Sequence, residues 1–235
     1  MKRLVMILLL SLFFVPSFAT QEYPKPDKLC ALTFDDGPDA RLTPRVLDKL
    51  EKYNVVATFF LVGQRINDSV KPVLDRMVAM GCEFGNHSWD YNPMDKMDPE
   101  KIKEYIKRTN EAIEKYTGKT PRFFRPPNLA VSPVMFEVIN MPFASGVLGF
   151  DWAGCDRTPE NIANNVLKGI RDGAIILLHD VQPEPHPTPE ALDILIPELK
   201  KRGYEFVTLS ELFKRKGVDP TDPKYKNKLW VYVEP

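Results

Sequence analysis

The chain has little cysteine and no excess of either charge. Its three cysteines, Cys30, Cys82 and Cys155, cannot all pair with one another, and their spacing matches no zinc-binding pattern. We expect three small buried side chains, two of which could form one disulfide after export. Lysine plus arginine and aspartate plus glutamate each number 32, so the charge attracts neither nucleic acid nor an anionic membrane. A neutral substrate is therefore expected.

Long apolar runs are absent after the N-terminus. There, two basic residues precede an apolar run from Leu4 to Val15, and Ser17-Phe18-Ala19 supplies small residues where a signal peptidase reads. The run is short for a membrane span, and Pro16 interrupts it. We predict a signal peptide over residues 1–19 and a single domain over residues 20–235. The protein would then be secreted, extracellular or periplasmic, as a monomer with no stable membrane association after cleavage; a retained N-terminal anchor is the alternative.

Short apolar runs alternate with amphipathic segments along the rest of the chain. Seven runs predict strands: Leu29–Thr33, Ala57–Leu61, Cys82–Gly85, Phe123–Arg125, Val147–Phe150, Ala174–Leu178 and Glu205–Leu209. The tail adds a candidate edge strand at Leu229–Val233. Helix starts, each a capping residue followed by proline, are indicated at Thr43-Pro44, Asp98-Pro99, Ser132-Pro133, Thr158-Pro159 and Thr188-Pro189.

Strands that are apolar throughout and followed by helices predict a parallel sheet covered by those helices. The expected fold class is α/β, a distorted single-domain (β/α) barrel of about seven parallel strands. A doubly wound open sheet is the alternative, because alternation alone does not show closure.

Polar residues follow most of the predicted strands, at the end where the catalytic groups of a β/α barrel collect. They are Asp35 and Asp36 after the first strand, His87 after the third, Arg125 at the fourth, Asp151 after the fifth and His179 after the sixth. Each alone also fits a structural role, as an acidic turn, a surface arginine or a polar strand end. Two adjacent carboxylates can serve different tasks, one on a metal and one on a proton. A histidine that closes an apolar strand is suited to general acid catalysis.

Together and in this order, the motifs resemble those of the NodB homology domain, found in the polysaccharide deacetylases of carbohydrate esterase family four. The resemblance covers roughly residues 28–212. It rests on Thr33-Phe34-Asp35-Asp36-Gly37-Pro38, His87-Ser88, Arg125-Pro126-Pro127, Asp151-Trp152 and Leu177-Leu178-His179-Asp180. It implies a NodB-like barrel and metal-dependent hydrolysis of acetyl groups on a polysaccharide or oligosaccharide.

The resemblance implies roles for four of these residues around a cation and a base. Asp36 and His87 would bind a divalent metal, typically zinc, or cobalt or nickel in some members. Asp35 would be the general base for the attacking water, and Arg125 would hold its carboxylate in place.

Five further residues would serve the leaving group and the acetyl group. His179 would protonate the leaving group, and Asp151 would orient its imidazole. Trp152 and Leu177 would wall a small pocket for the acetyl methyl. The backbone amide of Asn128 would donate a hydrogen bond to the oxyanion.

One departure from the family pattern concerns the metal. Tyr91 stands where the second motif usually has another histidine, and a neutral phenol with a pKa of about 10 is a poor ligand. Three outcomes are open: water takes that place, Asp90 or Asn92 becomes a weak third ligand, or metal and activity are both lost. The remaining histidine, His186, is expected to be a solvent-exposed residue of a proline-rich loop.

A second departure concerns the substrate. Asn128-Leu129 replaces the usual aromatic and glycine, which puts any direct transfer of a chitin or peptidoglycan preference in doubt. Because an amide needs more help at its leaving nitrogen, a weakened metal site favours O-deacetylation of acetylxylan. N-deacetylation of N-acetylglucosamine polymers, as in chitin oligomers or peptidoglycan, is the alternative. A non-catalytic glycan-binding protein is a second hypothesis, which Tyr91 supports.

Overall fold

A computed structural model describes residues 23–154 and 156–234 of the chain. Within these residues the strands are β1 (Lys28–Asp35), β2 (Thr58–Leu61), β3 (Glu83–Asn86), β4 (Phe143–Ala144), β5 (Val147–Leu148), β6 (Ala174–His179), β7 (Tyr204–Phe206) and β8 (Leu229–Trp230). The helices are α1 (Thr43–Tyr53), α2 (Lys71–Ala79), α3 (Pro99–Thr117), α4 (Pro133–Val138), α5 (Pro159–Gly169), α6 (Thr188–Lys201) and α7 (Leu209–Arg215). Short 3₁₀ turns lie at Gly63–Arg65, Asp68–Val70, Met94–Lys96, Pro127–Leu129 and Pro223–Tyr225. The predicted signal peptide and Cys155 lie outside the described residues.

The strands form a distorted barrel. The main sheet is parallel and has the order β3-β2-β1-β6-β5, and β7 pairs with the first half of β1. Phe124 bridges Asn86 at the end of β3 to Phe143 in β4, and β4 pairs with β8. An antiparallel bridge between Tyr232, just after β8, and Ala174 in β6 then closes the ring of strands. The α/β class and the barrel are therefore confirmed, and the ring of contacts excludes the open sheet.

Side-chain alternation on β1 separates an outer core from an inner one. Leu32 and Phe34 belong to the outer core beneath the helices, whereas Ala31 belongs to a core inside the barrel. Because successive side chains of a strand point to opposite faces, Asp35 falls on the inner face at the carboxyl end of β1. The same parity on β6 places His179 on that face, and the register pairs it directly with Asp35.

Three of the five predicted helix caps are confirmed, and two are wrong. Asp98, Ser132 and Thr158 each accept a hydrogen bond from a backbone amide in the first turn of the following helix. Thr43 and Thr188 instead lie one position inside α1 and α6, and neither helix has a side-chain cap. Both hydroxyls donate to buried carboxylates in the segments that follow β6 and β5, Thr43 to Asp180 and Thr188 to Asp151.

Some predicted strand bounds also differ from the structure. The run Phe123–Arg125 makes only the bridges of Phe124, because Arg125 is followed by two prolines that have no amide hydrogen to donate. The run Val147–Phe150 is a strand only over its first two residues, since Phe150 has a left-handed backbone with φ of 56°. Leu209 begins α7 rather than ending a strand, and Thr208 caps that helix.

Two further expectations concern cysteines and membranes. Cys30 and Cys82 are buried and free, in keeping with the expected small core side chains. Of the helices in the described ranges, none combines the length and the apolar character that a membrane span needs.

Candidate active site

The carboxyl ends of the strands surround a cavity of about 260 Å³. Its walls are formed by Asp35, Asp36, His87, Tyr91, Pro126, Pro127, Asn128, Leu129, Trp152, Leu177, His179 and Gln182. Two other predicted site residues, Arg125 and Asp151, are fully buried behind this wall. The structure thus brings the residues of five separate strand ends to one place.

The candidate base is held by a buried arginine. Arg125 donates from Nη1 to Asp35 Oδ1 at 2.6 Å, from Nη2 to the Ser145 carbonyl at 2.7 Å and from Nε to the Ala144 carbonyl at 3.3 Å. Its guanidinium also lies 4.1 Å from the centroid of the Phe60 ring. Burial lowers the pKa of Arg125, which the neighbouring Asp35 opposes. Since the guanidinium is fixed on all sides, it sets the orientation of the Asp35 carboxylate.

The candidate acid is held by a buried carboxylate that accepts three hydrogen bonds. His179 donates from Nδ1 to Asp151 Oδ1 and from its amide to Oδ2, both at 2.8 Å, and the Thr188 hydroxyl donates to Oδ2 at 2.7 Å. Burial alone would lower the pKa of His179, but Asp151 and the nearby Asp35 and Asp36 together raise it to about 9. The imidazole is therefore protonated at neutral pH and can donate a proton from Nε2.

Asp36 and His87 present two donor atoms that fit one divalent cation. His87 Nδ1 lies 2.8 Å from the Arg125 carbonyl oxygen, which accepts its proton and leaves a lone pair on Nε2. That Nε2 lies 3.6 Å from Asp36 Oδ1. Two atoms at this separation can both reach a cation at roughly 2.0–2.2 Å, the usual length of a zinc bond to nitrogen or oxygen. Burial raises the pKa of Asp36, and the neighbouring His87 partly offsets this rise. A bound cation would stabilise the carboxylate in the same way.

The place of the usual second histidine is taken by a neutral phenol. The Tyr91 hydroxyl accepts a hydrogen bond from Arg65 Nε at 3.2 Å, and burial together with the charge of Asp36 raises the pKa of Tyr91 to about 12. Asp90 instead accepts from Asn92 Nδ2 at 2.9 Å and from the Tyr105 hydroxyl at 3.0 Å. Neither Asp90 nor Asn92 lines the cavity. Over residues 23–154 and 156–234, no three His, Cys, Asp or Glu side chains gather as a metal-binding group.

The substrate side of the cavity contains the remaining predicted residues. Trp152 is 41% exposed, and its ring lies edge-on to His179 at 4.9 Å between centroids, while Leu177 is buried. Leu129 and Ala130 donate their amides to Pro126 and Pro127, but the Asn128 amide has no acceptor within the described part of the chain. It is therefore free to donate to an oxyanion. These contacts establish positions, and the catalytic roles stay predictions.

The sequence analysis missed the structural role of Asp180, which links α1 to the end of β1 behind the site; this link is called the Asp180 strut here. Asp180 is fully buried, accepts a hydrogen bond from the Thr43 hydroxyl and donates its amide to the Asp35 carbonyl at 3.2 Å. Burial, and to a smaller extent Asp36, raises the pKa of Asp180 to about 7. A Cβ on Gly37 would overlap the Asp180 carboxyl group. The Asp180 strut therefore fixes the turn that carries Asp36. In the sequence, Asp180 stood out only as part of the motif Leu177-Leu178-His179-Asp180.

The prediction for His186 was wrong, because this residue is 1% exposed. Its Nε2 donates to the Asp180 carbonyl at 3.1 Å, its amide donates to Glu184 Oε2 at 2.9 Å, and Arg45 Nη2 donates to its carbonyl at 3.2 Å. Burial and the charge of Arg45 lower the pKa of His186. It buttresses the loop after β6 and does not line the cavity.

Gln182 lies on that loop and was also missed. It lines the cavity and is more than nine-tenths buried, yet its side-chain amide has no hydrogen-bond partner among the residues that the structure covers. The sequence alone did not identify it, because a glutamine in a polar loop has no distinctive pattern.

Comparisons with known proteins agree with this geometry. A family model described as polysaccharide deacetylase matches residues 22–141. The solved structure of a family 4 acetyl xylan esterase from Clostridium thermocellum, in complex with a cobalt ion, is 59% identical with a TM-score of 0.84, and the match covers 88% of this chain and 99% of that one.

Two curated proteins are similar over most of this chain. A bifunctional xylanase/deacetylase from Pseudobutyrivibrio xylanivorans is 44% identical over 207 residues, which is 88% of this chain and 33% of that protein. A peptidoglycan-N-acetylglucosamine deacetylase from Listeria monocytogenes is 38% identical over 193 residues, 82% of this chain and 40% of that protein. The chain thus spans between a third and two fifths of the length of these two relatives.

Proposed function

Because the chain belongs to the polysaccharide deacetylase family, we propose that it hydrolyses acetyl groups from a polysaccharide. One observation carries the proposal. Asp35 and His179 are register partners on adjacent strands, each held by its own buried counter-ion, and both face a cavity that His87 and Asp36 also line.

The arrangement supplies a base, an acid and an oxyanion donor. Asp35 accepts the proton of the attacking water, and the Asn128 amide donates to the oxygen of the acetyl carbonyl as negative charge develops there. His179 then gives its Nε2 proton to the departing oxygen or nitrogen of the sugar. Asp151 stabilises the imidazolium before that transfer and keeps the ring in the productive orientation.

Asp36 and His87 would hold a divalent cation, zinc or cobalt, through a carboxylate oxygen and an imidazole nitrogen. A cation held there would supply a Lewis acid for the acetyl carbonyl and the attacking water. The donor geometry supports this placement, as does the cobalt ion in the structure of the acetyl xylan esterase. With two protein ligands, binding should be weaker and less selective than in a site with three.

For the substrate, we favour the acetyl esters of xylan. The acetyl xylan esterase and the xylanase/deacetylase are both named for xylan-related activity and are the more similar of the relatives described. The peptidoglycan deacetylase keeps N-acetylglucosamine polymers as the alternative. A polymeric substrate outside the cell accords with secretion after removal of residues 1–19, and the N-terminal sequence of protein recovered from the medium tests that step.

The experiment measures acetate released by the purified chain with added zinc or cobalt. Acetylated xylan and N-acetylglucosamine oligomers are the two substrates, and we expect faster release from the xylan. The Asp35→Asn variant should lose ~10²–10⁴ of the rate, the usual contribution of a general base. Asp75→Asn, which alters an exposed carboxylate on α2, is the matched control and should keep the wild-type rate.

The same variants test the glycan-binding hypothesis. A non-catalytic binder would release no acetate from either polymer, and its affinity for glycan would not change between the wild-type chain and Asp35→Asn. That result would overturn the proposed function.

A further inference from the structure

Two aromatic side chains stand exposed at the rim of the cavity. Phe150 is 45% exposed and Trp152 is 41% exposed, and their ring centroids lie 5.6 Å apart at an interplanar angle of 36°. Phe150 also has φ of 56°, a left-handed conformation that is rare for a bulky residue. The strained backbone costs stability and the exposed part of the ring adds none, so folding alone gives little reason for phenylalanine at this position.

The fold holds Phe150 in this conformation from both sides. Before it, the Gly149 amide donates to the Leu177 carbonyl at 3.2 Å, and Asn165 Nδ2 donates to the Gly149 carbonyl at 3.1 Å. After it, the fully buried Asp151 is anchored to β6. With its neighbours fixed, the backbone turns the Phe150 ring outward, to the surface beside the cavity.

The two rings continue the cavity outward from the candidate acid. Trp152 lines the cavity and lies edge-on to His179, at 4.9 Å between ring centroids. Phe150 packs against Trp152 and does not itself line the cavity. A glycan that leaves the cavity over Trp152 would reach Phe150 next.

We propose that Phe150 and Trp152 form a stacking surface, here called the Phe150–Trp152 shelf, for the sugar ring next to the acetylated one. The inference rests on the proposed function and adds a requirement for a substrate of at least two sugars. The carbon–hydrogen face of a neutral pyranose is apolar and flat enough to cover an aromatic ring, whereas the hydroxyl groups at its edge stay in water. Covering Phe150 on binding would then recover free energy that its exposure costs in the unbound protein.

The test compares a long and a short substrate. For oligomers of acetylated xylose, or of N-acetylglucosamine if that is what the wild-type chain hydrolyses, Phe150→Ala should raise KM roughly 3- to 10-fold, as for one aromatic contact. For the matching acetylated monosaccharide, which has no second sugar ring to cover Phe150, kcat/KM should stay within about twofold, because the catalytic residues are untouched. Phe150→Tyr, which keeps a ring, should restore the oligomer KM. Ile194→Ala, which removes another exposed apolar side chain (37% exposed) from α6, is the matched control.

A thermal unfolding measurement separates binding from a structural role. Phe150→Gly relieves the positive φ but loses the contact with Trp152 and raises the entropy of the unfolded chain, so its unfolding temperature should lie close to that of the wild type. An unchanged oligomer KM in Phe150→Ala would overturn the shelf, and so would an equal loss on both substrates.

The failure of the shelf can be told apart from the failure of the proposed function. If the wild-type chain releases acetate but Phe150→Ala matches it on oligomers, only the shelf is wrong. If the wild-type chain releases none, the proposed function fails. Calorimetric titration of wild type and Phe150→Ala with xylohexaose and chitohexaose then decides whether the shelf still binds sugar, since equal affinities or no binding would overturn it.

Discussion

The Asp151 carboxylate accepts two hydrogen bonds from His179 and one from the Thr188 hydroxyl. It is fully buried, and no arginine or lysine pairs with it among the residues of the structure, so its negative charge acts most directly on the His179 imidazole, to which it is hydrogen-bonded. This explains why the pKa of His179 lies above its ordinary value although burial acts in the opposite direction.

Replacing Asp151 with asparagine should therefore shift the pH dependence of the reaction. His179 works as an acid only while it is protonated, so activity is lost as the pH rises through its pKa of about 9. In Asp151→Asn the largest attraction is gone and only Asp35 and Asp36 oppose the effect of burial on that pKa, which should move the alkaline limb of kcat/KM down by about one unit or more. The rate at neutral pH should fall ~10²–10⁴. An alkaline limb at the wild-type pH would contradict the assignment of His179, and Asp75→Asn again serves as the control.

At the scale of residues, the sequence predicted which side chains lie at the site better than it predicted which residues they contact. The acidic and imidazole side chains at the strand ends could be identified because a β/α barrel collects such groups there. The buried position of His186 could not, since it depends on Arg45, which is 141 residues away along the chain. Gln182 and Phe150 carry no motif, and their exposure to the cavity or its rim follows only from the folded loops.

At the scale of elements, Thr43 links three parts of the fold. It is the first residue of α1, its hydroxyl accepts a hydrogen bond from the Asp39 amide at 2.9 Å, and it donates to Asp180 at the end of β6. The helix start, the turn after β1 and the loop after β6 are thereby fixed to one another.

Removal of that hydroxyl should destabilise the protein. Thr43→Val keeps the volume but leaves the buried Asp180 carboxyl without its donor, which should lower the free energy of unfolding by about 1–3 kcal/mol. Thr43→Ser keeps the donor and should retain most of the stability. Urea denaturation measures both variants. Equal midpoints for valine and serine would show that the hydrogen bond adds nothing.

The elements differed in how far they could be predicted. The runs that became β1, β2, β3 and β6 were correctly placed because they are largely apolar, and the start of α3 because a capping residue and a proline mark it. The two-residue strands β4 and β5 are too short to give such a signal. Pairing with Phe124 and Trp230 defines β4, and pairing with β6 defines β5. Thr43 and Thr188 have the sequence of a helix cap, and only the arrangement of the helices on the barrel shows that their hydroxyls bind carboxylates.

For the whole molecule, the cation should act as a ligand that stabilises the folded state. A ligand at 100 times its dissociation constant adds about 2.7 kcal/mol to the free energy of unfolding. Chelator-treated protein should lose deacetylase activity and should unfold at a temperature that rises as zinc or cobalt is added back. Asp36→Asn should abolish the rise. Full activity after chelation would rule out the metal site.

Exchange of Tyr91 for histidine tests the missing third ligand in the same titration. An imidazole in that position adds a nitrogen donor, so Tyr91→His should reach half of its thermal shift at a lower metal concentration than the wild type. Tyr105→Phe, which alters a nearby phenol that bonds Asp90, is the control. A midpoint that Tyr91→His leaves unchanged would place the cation elsewhere.

The pairing of Asp35 with His179 in the register of β1 and β6 has a consequence for how this enzyme family can diversify. The backbone positions of the proton acceptor and the proton donor are set by the spacing of two hydrogen-bonded strands, about 4.8 Å, and not by any loop. The side chains at positions 91, 128 and 150 can therefore be exchanged for others without moving the two backbone positions apart. Selection for a new glycan can act on the rim while the reaction itself is inherited intact with the backbone.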